Sequence, residues 1–579
     1  MLNQQIAQIF YRMAEFLEVK EVEFKPRAYE KVARVLESMS RDVGEIYKEG
    51  GIRALEEIPG VGINIAEKIE EFIKTGAIKD YGKLKKECPI DLEALSSIEG
   101  LGPKMIKTLY KKLGIKNLYD LEKAAKAGRI RNLFRFGPKV EENILKGIEF
   151  VRRGIGRFSL GEILPLAREI ENRFRSFRAV DLVVIAGSLR RKKETIGDLD
   201  ILVASDKPQD VMNFFVNMPE VERVYAKGDT KSSALLKIGI DADVRVVDKK
   251  SFGSALQYFT GNKDHNIALR KIAIKNNFKL NEYGLFLLAG DKEKYIAGET
   301  EKDIYQSLGM DYIEPELREN AGEIEFAMEN KLPKIIGYGD IKGDLQMHTT
   351  WSDGVNTIEE MAEQAMSMGY EYIAITDHSH RLKIANGLDK KRLLAQIEEI
   401  DNLNDKFAKQ DKNFIILKGA EIDILSDGNL DIADDVLKRL DIVLGSIHSG
   451  FKMPKKEMTE RICRAMGNPH IDIIAHPTGR VIQHREGYQV DLDEIFKVAG
   501  ETKTALEINA HSSRLDLSDV NIKKAVRAGV KLIISTDAHA KNQLLYMELG
   551  IAQARRGWAG EKDILNAQSL DKLLESLKG

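Results

Sequence analysis

Cysteine is scarce: Cys88 and Cys463 are the only two in 579 residues, and they lie far apart in the chain. They cannot build a disulfide framework or a thiolate-rich zinc site, which fits a reducing compartment. Net charge is nearly absent too, since 89 Lys+Arg against 91 Asp+Glu leave -2. Any nucleic acid must then be held by local patches and not by a bulk positive field. No apolar run reaches membrane-spanning length, and the chain does not open on a basic segment followed by an apolar one, so the expectation is a cytoplasmic protein with no membrane partner. Low-complexity sequence is also missing. With 43% apolar and 31% charged residues, the chain is too long for one core and should split into several domains. Nine of its ten histidines, all but His265, fall after residue 340, and imidazole is the commonest metal ligand. The acidic stretch 312–339, holding Pro315 and Pro333, reads as the connection between two halves.

Ile58-Pro59-Gly60-Val61-Gly62 recurs as Ile98-Glu99-Gly100-Leu101-Gly102, with a weaker third copy at Phe136-Gly137-Pro138. Two glycines around one apolar residue allow a tight turn with backbone amides exposed at the next helix N-terminus, and such amides favour a phosphate. One copy alone would be an ordinary helix turn; two with matching flanks make Gly60, Gly62, Gly100 and Gly102 candidates for gripping a DNA backbone without reading its sequence. The copies resemble helix-hairpin-helix motifs. Lys68, just beyond the first, could form a Schiff base with an aldehydic sugar only if its pKa were lowered or the sugar held against it; otherwise it is a solvated lysine.

The run Leu182–Ala186 reads as a strand ending in Gly187-Ser188-Leu189-Arg190-Arg191, and a second strand follows at Gly197–Val203. Side chains two apart on a strand share a face, so Asp198 and Asp200 project together and call for cations between them. A third strand, read over residues 236–247, can place Asp243 beside them. Three carboxylates holding two divalent ions suit phosphoryl transfer, with Ser188 and Arg191 at a triphosphate.

Gly187-Ser188-x-x-Arg191 with Gly197-Asp198-x-Asp200 resembles the nucleotidyltransferase palm of family X DNA polymerases, and Tyr258-Phe259-Thr260-Gly261 resembles that family's sugar-recognition motif. The resemblance implies that Asp198, Asp200 and Asp243 bind Mg2+ or Mn2+ and catalyse, that Ser188, Arg191 and Gly197 hold the nucleotide phosphates, that Tyr258, Phe259 and Gly261 line the sugar, and that Asn266 and Arg270 approach the minor groove and template. It extends through Asn281-Glu282-Tyr283 and back to the first hairpin. Repair members keep a lyase lysine where Lys68 stands and phosphate contacts where Lys25 and Tyr29 stand; Asn64 departs from the lysine common there.

After residue 340, seven β-rich runs end in potential ligands: Gln346-Met347-His348, Asp377-His378, Glu421, His448, His476, Glu507 and Asp537-Ala538-His539. In a barrel of parallel strands all such ends open on one face, where Asp353 can join them. Imidazole with carboxylate and no thiolate suits Zn2+, Mn2+ or Fe, and a cluster of such ions suits phosphodiester hydrolysis. These runs resemble the polymerase and histidinol phosphatase (PHP) domain, which implies a distorted seven-stranded βα barrel with metal ligands at His348, Asp353, His378, Glu421, His448, His476, Asp537 and His539. Gln346 stands where the family usually has a histidine, so one ion should be held more weakly. His380, His470, His484 and His511 fall outside the pattern, although His511 could touch a phosphate.

The fold class expected is multidomain α and α/β: a helix-hairpin-helix, lyase-like domain over 1–82, a fingers-like helical domain with the second hairpin over 83–152, a mixed-sheet palm over 153–250, a thumb over 251–320, a linker over 321–340 and the PHP barrel over 341–579. The function expected is a monomeric, nucleoid-associated family X DNA polymerase taking dNTPs on gapped or primer-template DNA, with a 3'→5' exonuclease in the barrel and abasic-site incision as a further activity. The alternatives are a phosphoesterase whose polymerase module only positions DNA, and a polymerase whose barrel is a silenced scaffold.

Overall fold

The computed structural model describes residues 2–577 apart from 21, 23, 40, 97, 99, 100, 135, 155 and 291. Among the described residues of the first 154, every regular element is a helix. Each glycine hairpin there sits between helices, and Gly62 and Gly102 are the N-caps of helices Ile63–Thr75 and Pro103–Leu113, with no side chain capping either. Both helices stop at a left-handed glycine, Gly76 and Gly114, each at φ 71, a conformation that costs other residues a Cβ clash. Two apolar clusters fill this region, one around Phe10, Val32 and Ile69, the other around Leu95, Ile106 and Leu121.

Next comes a five-stranded mixed sheet, β1 (Leu182–Ile185), β2 (Asp198–Ala204), β3 (Val221–Lys227), β4 (Lys231–Leu236) and β5 (Asp241–Val247), in the order β1-β2-β5-β4-β3. The strand expected over 236–247 starts later, as the second arm of a hairpin: β4 ends at Leu236, the chain turns through Gly239 at φ 93, and β5 starts at Asp241. A glycine in an apolar run marked this break. Helices Leu160–Ser176 and Pro208–Val216 bury Ile163, Ile170, Val211 and Phe215 against the sheet. Leu515 and Leu549, from the far end of the chain, complete the same core. A three-stranded antiparallel sheet follows, β6 (Phe278–Asn281), β7 (Gly284–Ala289) and β8 (Lys292–Ala297).

The last part is a parallel sheet of seven strands in sequential order: β9 (Gly343–Asp344), β10 (Tyr372–Ile375), β11 (Ile415–Asp423), β12 (Ile442–Ser446), β13 (Ile473–Ile474), β14 (Ala505–Asn509) and β15 (Leu532–Ser535). A bridge between Met347 and Ala538, just past β9 and β15, nearly closes the barrel. Strands β10, β12, β14 and β15 are buried along their whole length, as expected where helices cover one face and a packed interior the other. The connection before the barrel is not a loose tether. Glu316, Arg318 and Glu323 are buried in it, and Glu316 pairs with Arg555 at 2.8 Å.

Candidate functional sites

In the palm, parallel pairing sets Asp198 beside Asp241 and Asp200 beside Asp243. Burial, together with the charges of Asp198 and Asp243, pushes the Asp200 carboxyl up to about 7; Arg191 and Lys231 act against that rise. Lys231 Nζ lies 3.0 Å from Asp243 and supplies the compensating cation here. This lysine was missed because β4, which carries it, lies before the stretch read as a strand. Among the described residues, the groups whose donor atoms all lie within 4.8 Å of one another are in the barrel, so the palm trio is the more open of the two sites. Three clustered carboxylates, one of them driven toward protonation by burial and by its neighbours, are a donor set that fits hard divalent cations.

The short helix Gly187–Arg190, where the phosphate contacts were expected, is built against this cluster. Gly187 sits at φ 61, and a Cβ there would come within 2.3 Å of Asp200 Oδ2. Ser188 Oγ is buried with no hydrogen-bond partner, as a hydroxyl waiting for an oxygen ligand would be. Arg191 is already engaged: its Nε donates to Glu319 at 3.0 Å and its Nη1 to the Thr260 carbonyl. Gly197 packs against the Arg157 guanidinium, which also donates to Thr195 Oγ1 at 2.8 Å. Gly261 adopts φ 70 between Arg191 and Asn262, and Tyr258 and Phe259 pack edge to face at 5.2 Å. The Asn266 amide donates to the Tyr258 carbonyl at 2.7 Å and accepts from Gln257 at 2.7 Å, and Arg270 lies 5.9 Å from the Tyr258 ring centroid. Asn266 and Arg270 thus shape the Tyr258 segment.

At the amino end, Gly60 (φ 84) and Gly62 are exposed, and no atom lies within 4 Å of a Cβ added at Gly62. Gly102 is equally open; Gly100 lies outside the described residues. Lys68 Nζ is 3.0 Å from Asp80 and 3.3 Å from the Asn64 carbonyl. Burial alone would push its amine down, but Asp80 and Tyr29 outweigh this and raise it, so Lys68 rests protonated. Lys25 and Tyr29 act on the same Asp80–Lys68 pair.

The barrel mouth gathers all eight expected ligands. His348, Asp353, His378 and His539 form one group, and His378, Glu421 and His448 another. His476 Nε2 joins Glu421 at 3.0 Å, and Asp537 joins His348 at 3.1 Å. Burial would raise both carboxyls, yet His378 and His448 hold Glu421 well below the usual range, and His348 and His539 do the same for Asp537. Burial would lower His348, but the Asp537 hydrogen bond and the surrounding acids push it up to about 10. The buried Gln346 amide has no partner at either its oxygen or its nitrogen. Orphaned buried polar atoms within a set of imidazoles and carboxylates fit divalent metal, with Gln346 offering a neutral oxygen. Asp377, at an expected ligand-bearing strand end, is instead spent on Thr349, Ser352 and Gln396, and Glu507 accepts from the His476 backbone and Ser535. Two missed groups face the site: Asp423, 3.4 Å from His448, and Arg514, 3.6 Å from Asp537. The first was legible, lying two residues beyond Glu421 on one strand face.

Family models agree with this layout. A helix-hairpin-helix domain matches residues 1–78, a SAM-like helix-hairpin-helix tandem 92–149, the DNA polymerase beta thumb 255–319 and the PHP domain 344–511. The chain is 41% identical over 581 residues, covering 100% of both, to the DNA polymerase/3'-5' exonuclease PolX of Bacillus subtilis (strain 168). The chain belongs to the family X DNA polymerases. This relative spans every domain, whereas two probable phosphatases match only part of the chain. A probable phosphatase of Thermoanaerobacter sp. (strain X514) is 31% identical over 41% of this chain and 94% of its own length. A probable phosphatase of Acetivibrio thermocellus is 32% identical over 34% of this chain and 78% of its own. Among the described residues no helix of this family X chain is long and apolar enough to cross a membrane.

Proposed function

We propose that this chain is a DNA-templated DNA polymerase that fills short gaps in repair and trims 3' ends with its barrel, working as a monomer on dNTPs and gapped DNA in the cytoplasm. The domain limits read from the sequence, 1–82, 83–152, 153–250, 251–320, 321–340 and 341–579, are proposed as its working parts. The observation that carries the reading is the register that sets Asp200 beside Asp243 under the Ser188 loop. Asp198, Asp200 and Asp243 would hold Mg2+ or Mn2+, which when bound lowers the pKa of a primer 3'-hydroxyl and neutralises the leaving pyrophosphate. Ser188 offers an unspent hydroxyl to a phosphate oxygen, and Arg191 can exchange Glu319 for the triphosphate. Tyr258 and Phe259, fixed through Asn266, form the wall against which a sugar rests. The open hairpin amides at Gly62 and Gly102 would grip DNA phosphates, with Gly60 shaping the first turn.

In the barrel, His348, Asp353, His378, Glu421, His448, His476, Asp537 and His539 would hold Mn2+, Zn2+ or Fe, supplying Lewis acidity toward a phosphodiester. Arg514 stands ready to meet a phosphate charge, and abasic-site incision would use the same set. The direct test offers each of the four dNTPs to a one-nucleotide gap. Incorporation of the complementary nucleotide alone supports the reading; untemplated addition, or none, refutes it.

A second activity is favoured by the grouping of Lys25, Tyr29 and Lys68 around Asp80: release of 5'-deoxyribose phosphate through Lys68. Attack requires the amine to leave Asp80 and lose its proton. Unchanged release by Lys68→Ala would remove this lysine from the mechanism.

A further inference from the structure

The phosphate loop of the palm is held from the opposite end of the chain. Arg556, at the end of helix Met547–Arg556, has a side chain only 1% exposed. Its Nη1 donates to the backbone carbonyl of Arg191 at 2.8 Å and to Glu319 Oε1 at 3.1 Å, and its Nη2 pairs with Asp519. The same Glu319 oxygen receives Arg191 Nε at 3.0 Å, and the other receives the Asn262 amide at 3.0 Å. One carboxylate is therefore shared between the arginine that should meet the nucleotide phosphates and an arginine of the barrel domain. Neighbouring contacts pin the loop to the same domain: Lys192 to Glu548 at 3.1 Å, and Glu194 to Arg480 at 2.6 Å. Leu515 and Leu549 entering the palm core make this docking a packed one.

We propose that Arg556 is a positioning residue for nucleotide binding in the polymerase site, acting through Glu319 on Arg191. This rests on the polymerase reading above. Glu319 and a bound triphosphate compete for the Arg191 guanidinium. Arg556 draws part of the Glu319 charge to itself and fixes the Arg191 backbone, so that Arg191 can be released to a phosphate at modest cost. With Arg556 gone, Oε1 of Glu319 is left to Arg191 alone, while Asn262 and Lys193, 3.8 Å away, stay on Oε2, so more of the Glu319 charge falls on Arg191 and retains it. The barrel domain thereby sets the nucleotide affinity of the palm.

Steady-state gap filling by the full-length protein tests this, with Arg556→Gln as the variant because it keeps a polar stem and a donor while removing the charge. The expected result is a rise in the KM for the complementary dNTP of about tenfold with kcat within about twofold. Arg556→Lys, which keeps the charge, should stay near the wild-type KM. Adding Glu319→Gln to Arg556→Gln should restore KM to within about threefold of wild type, because no carboxylate then holds Arg191. A purely structural role would instead lower kcat, exonuclease activity and melting temperature together, with no recovery in the double variant. That pattern, or an unchanged KM in Arg556→Gln, overturns the proposal. Failure of wild type to incorporate a templated nucleotide is a different outcome, and it removes the polymerase reading itself.

Discussion

Among the described residues Arg318 is one of the largest fully buried side chains, and its removal should destabilise the region around Glu301. Its Nη1 lies 2.5 Å from Glu301, its Nε donates to the Ile313 carbonyl at 2.9 Å, and its guanidinium sits over Tyr305 and Tyr312 at 5.3 and 5.4 Å. Glu301 also receives Arg190, from helix Gly187–Arg190, at 2.6 Å. Burial would raise the Glu301 carboxyl, but Arg318 and Arg190 together bring it from 4.5 to about 2. A folded pKa below the unfolded one contributes stability that is complete above about 4.5 and is lost as pH falls toward about 2. That lowering corresponds to about 3 kcal/mol, of which about 2 kcal/mol should be gone at pH 3. Arg318→Met strips one partner from a buried pair and should cost about 3–5 kcal/mol at pH 7, softened by the Arg190 that remains. Urea unfolding followed by Trp558, which packs in the same apolar cluster, reads this region once Trp351 is replaced by Phe. Glu301→Gln should lose the part of the pH 7-to-3 dependence assigned to Glu301. A cost below about 1 kcal/mol for Arg318→Met, or an identical pH dependence in Glu301→Gln and wild type, would refute the reasoning.

Three shorter expectations accompany it. Gly187→Ala forces a Cβ against Asp200 at a positive φ, and should reduce gap filling by at least about a hundredfold while leaving DNA degradation intact. Gly62→Asp places a carboxylate where a phosphate should approach, in space that is otherwise open; DNA affinity should fall and the slope of log affinity against log salt should shrink by about one, with no loss of helicity by circular dichroism. Adding Mn2+ to chelator-treated protein should stabilise the barrel by about 4 kcal/mol at a thousandfold excess over Kd, seen as a higher melting temperature, and His378→Ala should shrink that gain.

Much of the palm and barrel chemistry was legible because it obeys local periodicity. The two-residue spacing of Asp198 and Asp200 fixed their common face, and the recurrence of His, Asp and Glu at the ends of apolar runs pointed to one barrel mouth. Partners set by tertiary contact were not legible. Asp377 looked like a ligand, yet three side chains from two other segments claim it. Lys68 looked like a free amine, and an aspartate twelve residues on holds it. The acidic stretch 312–339 read only as a connection between two halves, whereas Arg555 and Arg556 tie its Glu316 and Glu319 to the barrel. No spacing rule encodes that last arrangement, since its two sides lie more than two hundred residues apart.

Separation of the two centres is the claim on which the account stands. Extension and degradation should be followed on the same gapped DNA for wild type, Asp200→Ala and His378→Ala. The account predicts that Asp200→Ala abolishes extension and spares degradation, and that His378→Ala does the reverse. Loss of both activities in either variant, with the protein still folded, would contradict it.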